Sequence, residues 1–134
     1  MKKIEHLGIA VANLEEANEV FKRLFNRAHY KSESVEREGV TTSFFQVGES
    51  KIELLEATDP ESAIGKYVAK SGQGMHHIAF DVDDILVEMD RLKKEGFRLL
   101  SEEPQTGADN KLVCFVHPKS CNGVLVELTQ EKPA

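Results

Sequence analysis

The chain repeats itself at a spacing of 71 residues, and this duplication limits what it can fold into more than any single motif does. Laying "IEHLGIAV" (4–11) over "MHHIAFDV" (75–82) puts His6 on His77, Leu7 on Ile78, Ile9 on Phe80 and Val11 on Val82. The register continues through Leu14 on Ile85 and Phe21 on Leu92, with Asn13 over Asp84, both residue types that cap helix N-termini. The ends of the halves match as well. "KIELLE" (51–56) lies over "LVELTQ" (125–130) and brings Glu53 onto Glu127, now 74 residues apart. One loop insertion accounts for the drift between the two spacings.

Each half reads as the same run of elements. A strand comes first, at about 4–11 and 76–82, with an amphipathic helix behind it. Leu14, Ala17, Phe21, Leu24 and Phe25 recur at helical spacing in the first helix, and Ile85, Met89 and Leu92 in the second. Gly96 ends the second helix. A short strand at 29–37, then "GVTTSFFQVG" and "SKIELLEA", complete half one. "FRLLSEE", "KLVCFVHP" and "GVLVELTQ" complete half two, with Gly48 and "SCNG" at the turns. The pattern is βαβββ, twice. It predicts an α+β fold, a single domain over 1–134 made of a first module at 1–57, a linker at 58–74 with a short helix at 61–70, and a second module at 75–130. Related by a pseudo-two-fold, the modules would form one cupped mixed β-sheet with helices on the outside. The terminal "TQEKPA" reads as a frayed tail.

Strand alternation then assigns faces. Leu7, Ile9 and Val11 must pack on the helix, so His6, Gly8 and Ala10 share the other face. In the repeat, Ile78, Phe80 and Val82 face the helix while His77, Ala79 and Asp81 face away. Ile52 and Leu54 leave Glu53 on the open face; Val126 and Leu128 do the same for Glu127. Two histidines and two glutamates thus emerge on the helix-free faces of equivalent strands, and small Gly8, Ala10 and Ala79 beside them leave room for something to bind above the sheet. His76 has the helix-facing parity and becomes a neighbour that orients His77 or lines the sheet edge. His29 receives no role.

That donor set suits a divalent metal. Two neutral imidazoles and two carboxylates cancel its charge, which limits the cost of burial. Without a cation, facing glutamates would repel and one would tend to protonate. Mixed nitrogen and oxygen donors suit Co²⁺, Mn²⁺, Ni²⁺, Fe²⁺ or Zn²⁺, and four ligands in an octahedron leave two positions for a bidentate oxygen ligand.

Composition narrows the partners. At 134 residues and 40% hydrophobic, the chain can bury a real core, while its net charge of −6 argues against a general nucleic-acid binder. The absence of a long apolar run argues against a membrane span or signal core and for a cytoplasmic protein. Cys114 and Cys121 have no CxxC spacing and read as reduced thiols. The charge-dense "EMDRLKKEG" and "SESVERE" read as solvated faces.

With His6, Glu53, His77 and Glu127 placed in paired βαβββ halves, the chain resembles the vicinal oxygen chelate superfamily, which includes glyoxalase I and the extradiol dioxygenases. Within it, "IEHLGIAVANLEEA", "GESKIELLEAT", "GMHHIAFDVDDI", "EEPQTGADNK" and "HPKSCNGVLVELTQ" resemble the methylmalonyl-CoA epimerase family over nearly the whole chain. The resemblance implies interconversion of the 2R and 2S forms of an acyl-CoA substrate, with Co²⁺ or Mn²⁺ (Zn²⁺ or Ni²⁺ as substitutes) held by His6, Glu53, His77 and Glu127, in a homodimer. It implies Glu127 as ligand and base. Some members carry a second glutamate where this chain has Thr42, and others a neutral amide where it has Glu53. Glu53 is therefore read as the second acid/base, and Lys119 and Ser120 as the grip on the substrate carboxylate or a CoA phosphate. The alternatives are a glyoxalase I-type lactoylglutathione lyase, an extradiol dioxygenase, and a non-catalytic small-molecule binder.

Overall fold

The structure, a computed structural model, describes residues 1–132. The first run comprises β1 (Lys3–Ala10), α1 (Leu14–Phe25), β2 (Lys31–Val35), β3 (Val40–Val47) and β4 (Ser50–Ala57). After α2 (Ala63–Ser71), the second comprises β5 (Gly74–Asp81), α3 (Ile85–Lys94), β6 (Gln105–Thr106), β7 (Lys111–Val116) and β8 (Val126–Glu131). This is the βαβββ order twice, in an α+β fold. The hydrogen-bonded strand order is β2-β3-β4-β1 in the first run and β5-β8-β7-β6 in the second. In each run the first and last strands pair in parallel, β1 with β4 and β5 with β8, and the remaining hairpin-linked strands pair antiparallel. The mixture follows from connection length. Short turns can join only antiparallel neighbours, whereas parallel neighbours need a long crossover connection.

Both long helices start on the caps expected of them. Asn13 Oδ1 accepts from the Glu16 N–H at 2.9 Å, and Asp84 Oδ1 accepts from the N–H groups of Leu86 and Val87 at 3.1 and 3.2 Å. A second device was not visible in the sequence. Glu56 Oε2 accepts from the Leu14 N–H at 3.0 Å, and Gln130 Oε1 from the Ile85 N–H at 2.7 Å. These acceptors stand 74 residues apart, at the ends of equivalent strands, so each half ties its helix start to its last strand in the same way.

The chain divides into two compact units, residues 6–76 and residues 1–5 with 77–134. In the first, Val11, Leu14, Ala17, Phe45 and Leu54 form the core between α1 and the sheet, with Ile9, Phe21, Phe25 and Ile52 packed against it. In the second, Val82, Ile85, Met89, Leu92, Cys114, Val116 and Leu128 take that place under α3.

Four expectations need correction. "FRLLSEE" makes no strand beyond a single bridge from Leu99 to Val116; the third-from-last strand is the two-residue β6. Leu24 is 68% exposed, off the buried stripe of α1. Ala10 does not leave room above the sheet, because α2 covers it: Ala10, Val40, Leu55 and Ile64 form a third buried cluster. Thr129–Glu131 of the supposed tail belong to β8, and its last two residues lie outside the described ones.

Candidate functional site

Cross-strand register builds the two halves of the site alike. In the first, Glu53 on β4 sits opposite Gly8 on β1 and Phe44 on β3. In the second, Glu127 on β8 sits opposite Ala79 on β5 and Phe115 on β7. A small residue on one side leaves space over the carboxylate, and a phenyl ring on the other limits its contact with water. His6 lies two residues before Gly8 and His77 two before Ala79, on the same faces. Each histidine therefore reaches its own glutamate. His6 Nδ1 stands 3.1 Å from Glu53 Oε2, and His77 Nε2 stands 3.1 Å from Glu127 Oε1.

All four side chains are buried, at 5% (His6), 5% (Glu53), 7% (His77) and 6% (Glu127) relative exposure. Charged and polar groups are seldom enclosed to this degree without a partner or a ligand. Phe115 also meets the His77 ring edge to face, with centroids 5.7 Å apart and planes at 85°. That contact fixes the imidazole plane in half two. In half one the equivalent Phe44 is instead flanked by Tyr30, at a centroid distance of 6.0 Å, and by the Lys31 ammonium 4.7 Å from its centroid.

The donor chemistry fits a divalent metal. Within each half, the imidazole and the carboxylate bring ligand atoms within 4.8 Å of one another. The two cysteines lie elsewhere: Cys114 belongs to the core under α3 and Cys121 packs against that core, so neither thiol shares the face of Glu127. Nitrogen and oxygen donors without sulfur suit borderline and hard cations.

The remaining sequence-predicted residues take other positions. Thr42 is fully buried on β3, on the same face as Phe44 and in register with Leu55, and its hydroxyl has no hydrogen-bond partner. Lys119 and Ser120 sit in a 3-10 turn, Pro118–Cys121. Lys119 is exposed and its N–H donates to His117 Nδ1, while Ser120 Oγ accepts from the Arg98 N–H at 3.0 Å. His76 stacks its ring edge-on against Tyr67 of α2, with centroids 5.0 Å apart. Glu5 is 4% exposed, a buried carboxylate to which strand parity alone assigned no role.

Comparison with known proteins places the fold. The profile of the Glyoxalase/Bleomycin resistance protein/Dioxygenase superfamily matches residues 5–115. The chain belongs to this superfamily. Its relatives include human mitochondrial methylmalonyl-CoA epimerase, 40% identical over 96% of this chain and 73% of that protein. The ethylmalonyl-CoA/methylmalonyl-CoA epimerase of Cereibacter sphaeroides is also 40% identical, over 96% of this chain and 97% of its own length. Among solved structures, a variant of Streptomyces coelicolor methylmalonyl-CoA epimerase in complex with 2-nitronate-propionyl-CoA superposes with a TM-score of 0.95 at 34% identity. It covers all of this chain and 97% of that one.

Proposed function

We propose that this chain epimerises methylmalonyl-CoA, removing the proton from the carbon between thioester and carboxylate and returning one to the opposite face. The reading rests on one observation: two buried histidine–glutamate pairs stand at repeat-equivalent registers in a chain whose relatives include methylmalonyl-CoA epimerases. The proton on such a carbon is acidic but does not leave unaided at neutral pH, so a positioned base is needed.

Glu127 takes the proton. Glu53, its counterpart in the other half, acts at the opposite face of the carbon and delivers a proton there. Thr42 cannot titrate usefully, and Glu53 is assigned as the second acid/base because it is the repeat counterpart of Glu127. Both carboxylates are buried, which disfavours direct protonation of the substrate by bulk water and favours delivery from the side chain. His6, Glu53, His77 and Glu127 would hold a divalent ion, cobalt or manganese first, and it supplies Lewis acidity toward charge developing on the substrate oxygens. Lys119 offers its exposed ammonium to a substrate carboxylate or CoA phosphate. Ser120 already accepts from the Arg98 N–H, which orients its hydroxyl and leaves the O–H to donate to a substrate oxygen. The working form of this reading is a cytoplasmic homodimer.

The test is deuterium entry at the α-carbon of methylmalonyl-CoA in D₂O, read by mass spectrometry with and without added Co²⁺. Metal-dependent entry together with epimerisation is expected. Glu127→Gln should reduce both by about 10²-fold or more. No entry with the metal-loaded protein overturns the reading, and a fully active Glu53→Gln removes the role given to Glu53.

A further inference from the structure

The back of β8 opens onto a cleft of about 270 Å³ beneath α3, walled by Phe80, Leu92, Phe97, Val116, Cys121 and Leu128. The sister half shows what occupies the equivalent registers. There, Phe21, Phe25 and Phe45 interlock under α1 with ring centroids 5.6 to 6.3 Å apart. The 71-residue register replaces these three with Leu92, Gly96 and Val116. Phe80 and Phe97 return two rings to the region, and the third is missing. The cleft is half open to solvent, and enclosed apolar cavities of about 150 Å³ already suffice to take up benzene.

The wall also sets the polarity of an occupant. Arg91 lines the mouth, but its Nε and Nη2 both donate to Glu88 Oε2, at 3.0 and 2.8 Å, which compensates the guanidinium charge. Met1, itself 54% exposed, also lines the cleft, and the Cys121 thiol adds a weakly polar atom; the other lining side chains are carbon apart from Arg91. A cleft on the α1 side of half one is different: Asn13, Glu16 and Gln73 contribute to its walls.

We propose that the α3 cleft is a binding site for a small neutral aromatic molecule, whose ring takes the place of the phenylalanine that half two lacks. It is separate from the His77–Glu127 pair, yet it shares a strand with it. Val126 and Leu128 line the cleft, and Glu127 between them faces the other side of the sheet. An occupant would press on the catalytic strand from behind.

Indole is a suitable probe and Cys121 a built-in reporter. N-ethylmaleimide labelling of Cys121 in the metal-loaded full chain should slow about fivefold when indole reaches about four times its Kd. Methyl resonances of Val116, Val126 and Leu128 should shift along the same saturation curve. Val116→Phe, or Leu92→Phe should the first fail to fold, should fill the space, raise the melting temperature and abolish the protection. Unchanged labelling of the wild type up to the solubility limit of indole overturns the proposal. So does protection that survives in a folded variant, or failure of both variants to fold, since the space for a ring would then not exist.

Discussion

Thr42 and Thr129 each carry a fully enclosed hydroxyl with no hydrogen-bond partner among the described residues. They occupy matching places. Thr42 pairs across strands with Leu55, and Thr129 with Val113, so each half sets one threonine and one aliphatic residue at the rung beyond its buried glutamate. The threonine has moved from one strand to the other between the halves. A buried hydroxyl without a partner costs about 1–3 kcal/mol in lost solvation, and valine has nearly the same shape. Thr42→Val and Thr129→Val should therefore each stabilise the metal-free fold by about 1 kcal/mol, read as a higher urea midpoint at unchanged slope. At this scale the sequence was informative where parity decides. His6, Glu53, His77 and Glu127 all lie buried on the faces that alternation assigned. It was uninformative about Thr42, because no pattern of residue types reveals whether a hydroxyl finds a partner.

Helices and strands are joined here by side chains that belong to neither pattern. Glu56 and Gln130 extend from the ends of β4 and β8 to the first free N–H groups of α1 and α3, which carry the positive end of each helix dipole. A carboxylate gains from both effects and an amide mainly from the hydrogen bond. Glu56→Ala should thus cost more than Gln130→Ala, with the second near 1 kcal/mol, in paired chemical denaturation curves. Such contacts span 42 and 45 residues and escape local reading, although the same offset that matches Glu53 with Glu127 also matches these two. β6 escaped for another reason. "FRLLSEE" has strand composition, but the chain there makes a single bridge, while the pairing strand falls on the less apolar Gln105–Thr106. Helix α2 was anticipated as a connector. Its packing over Ala10 was not, since the stripe of Ile64, Tyr67 and Val68 marks an apolar face but not which surface that face will cover.

Across the whole molecule, the reading makes folding stability depend on the cation. Adding Co²⁺ to protein stripped by a chelator should raise the melting temperature, by the equivalent of about 2.7 kcal/mol at a hundredfold excess over Kd. His6→Ala and His77→Ala should each sharply reduce that gain, by calorimetry. Alkaline pH acts through a different group. Burial raises the Cys114 thiol above its ordinary value of 9.0. The neutral thiol's contribution is complete below that pH. Above it the unfolded chain ionises while the folded one resists, so stability declines until the folded thiol also ionises. A steeper fall in the denaturation midpoint above pH 9.0 in the wild type than in Cys114→Ala is the expected result.

The leading strand has a further consequence. Residues 1–5 cluster with 77–134 and not with the segment they begin, and Lys2 donates its N–H to the Asp81 carbonyl at 2.8 Å while its ammonium reaches Asp83 at 2.9 Å. Anyone fusing a tag or trimming the amino terminus is therefore editing the carboxy-terminal half. Damage there would surface beside Asp81, some eighty residues downstream of the cut, and could be mistaken for a local fault in β5.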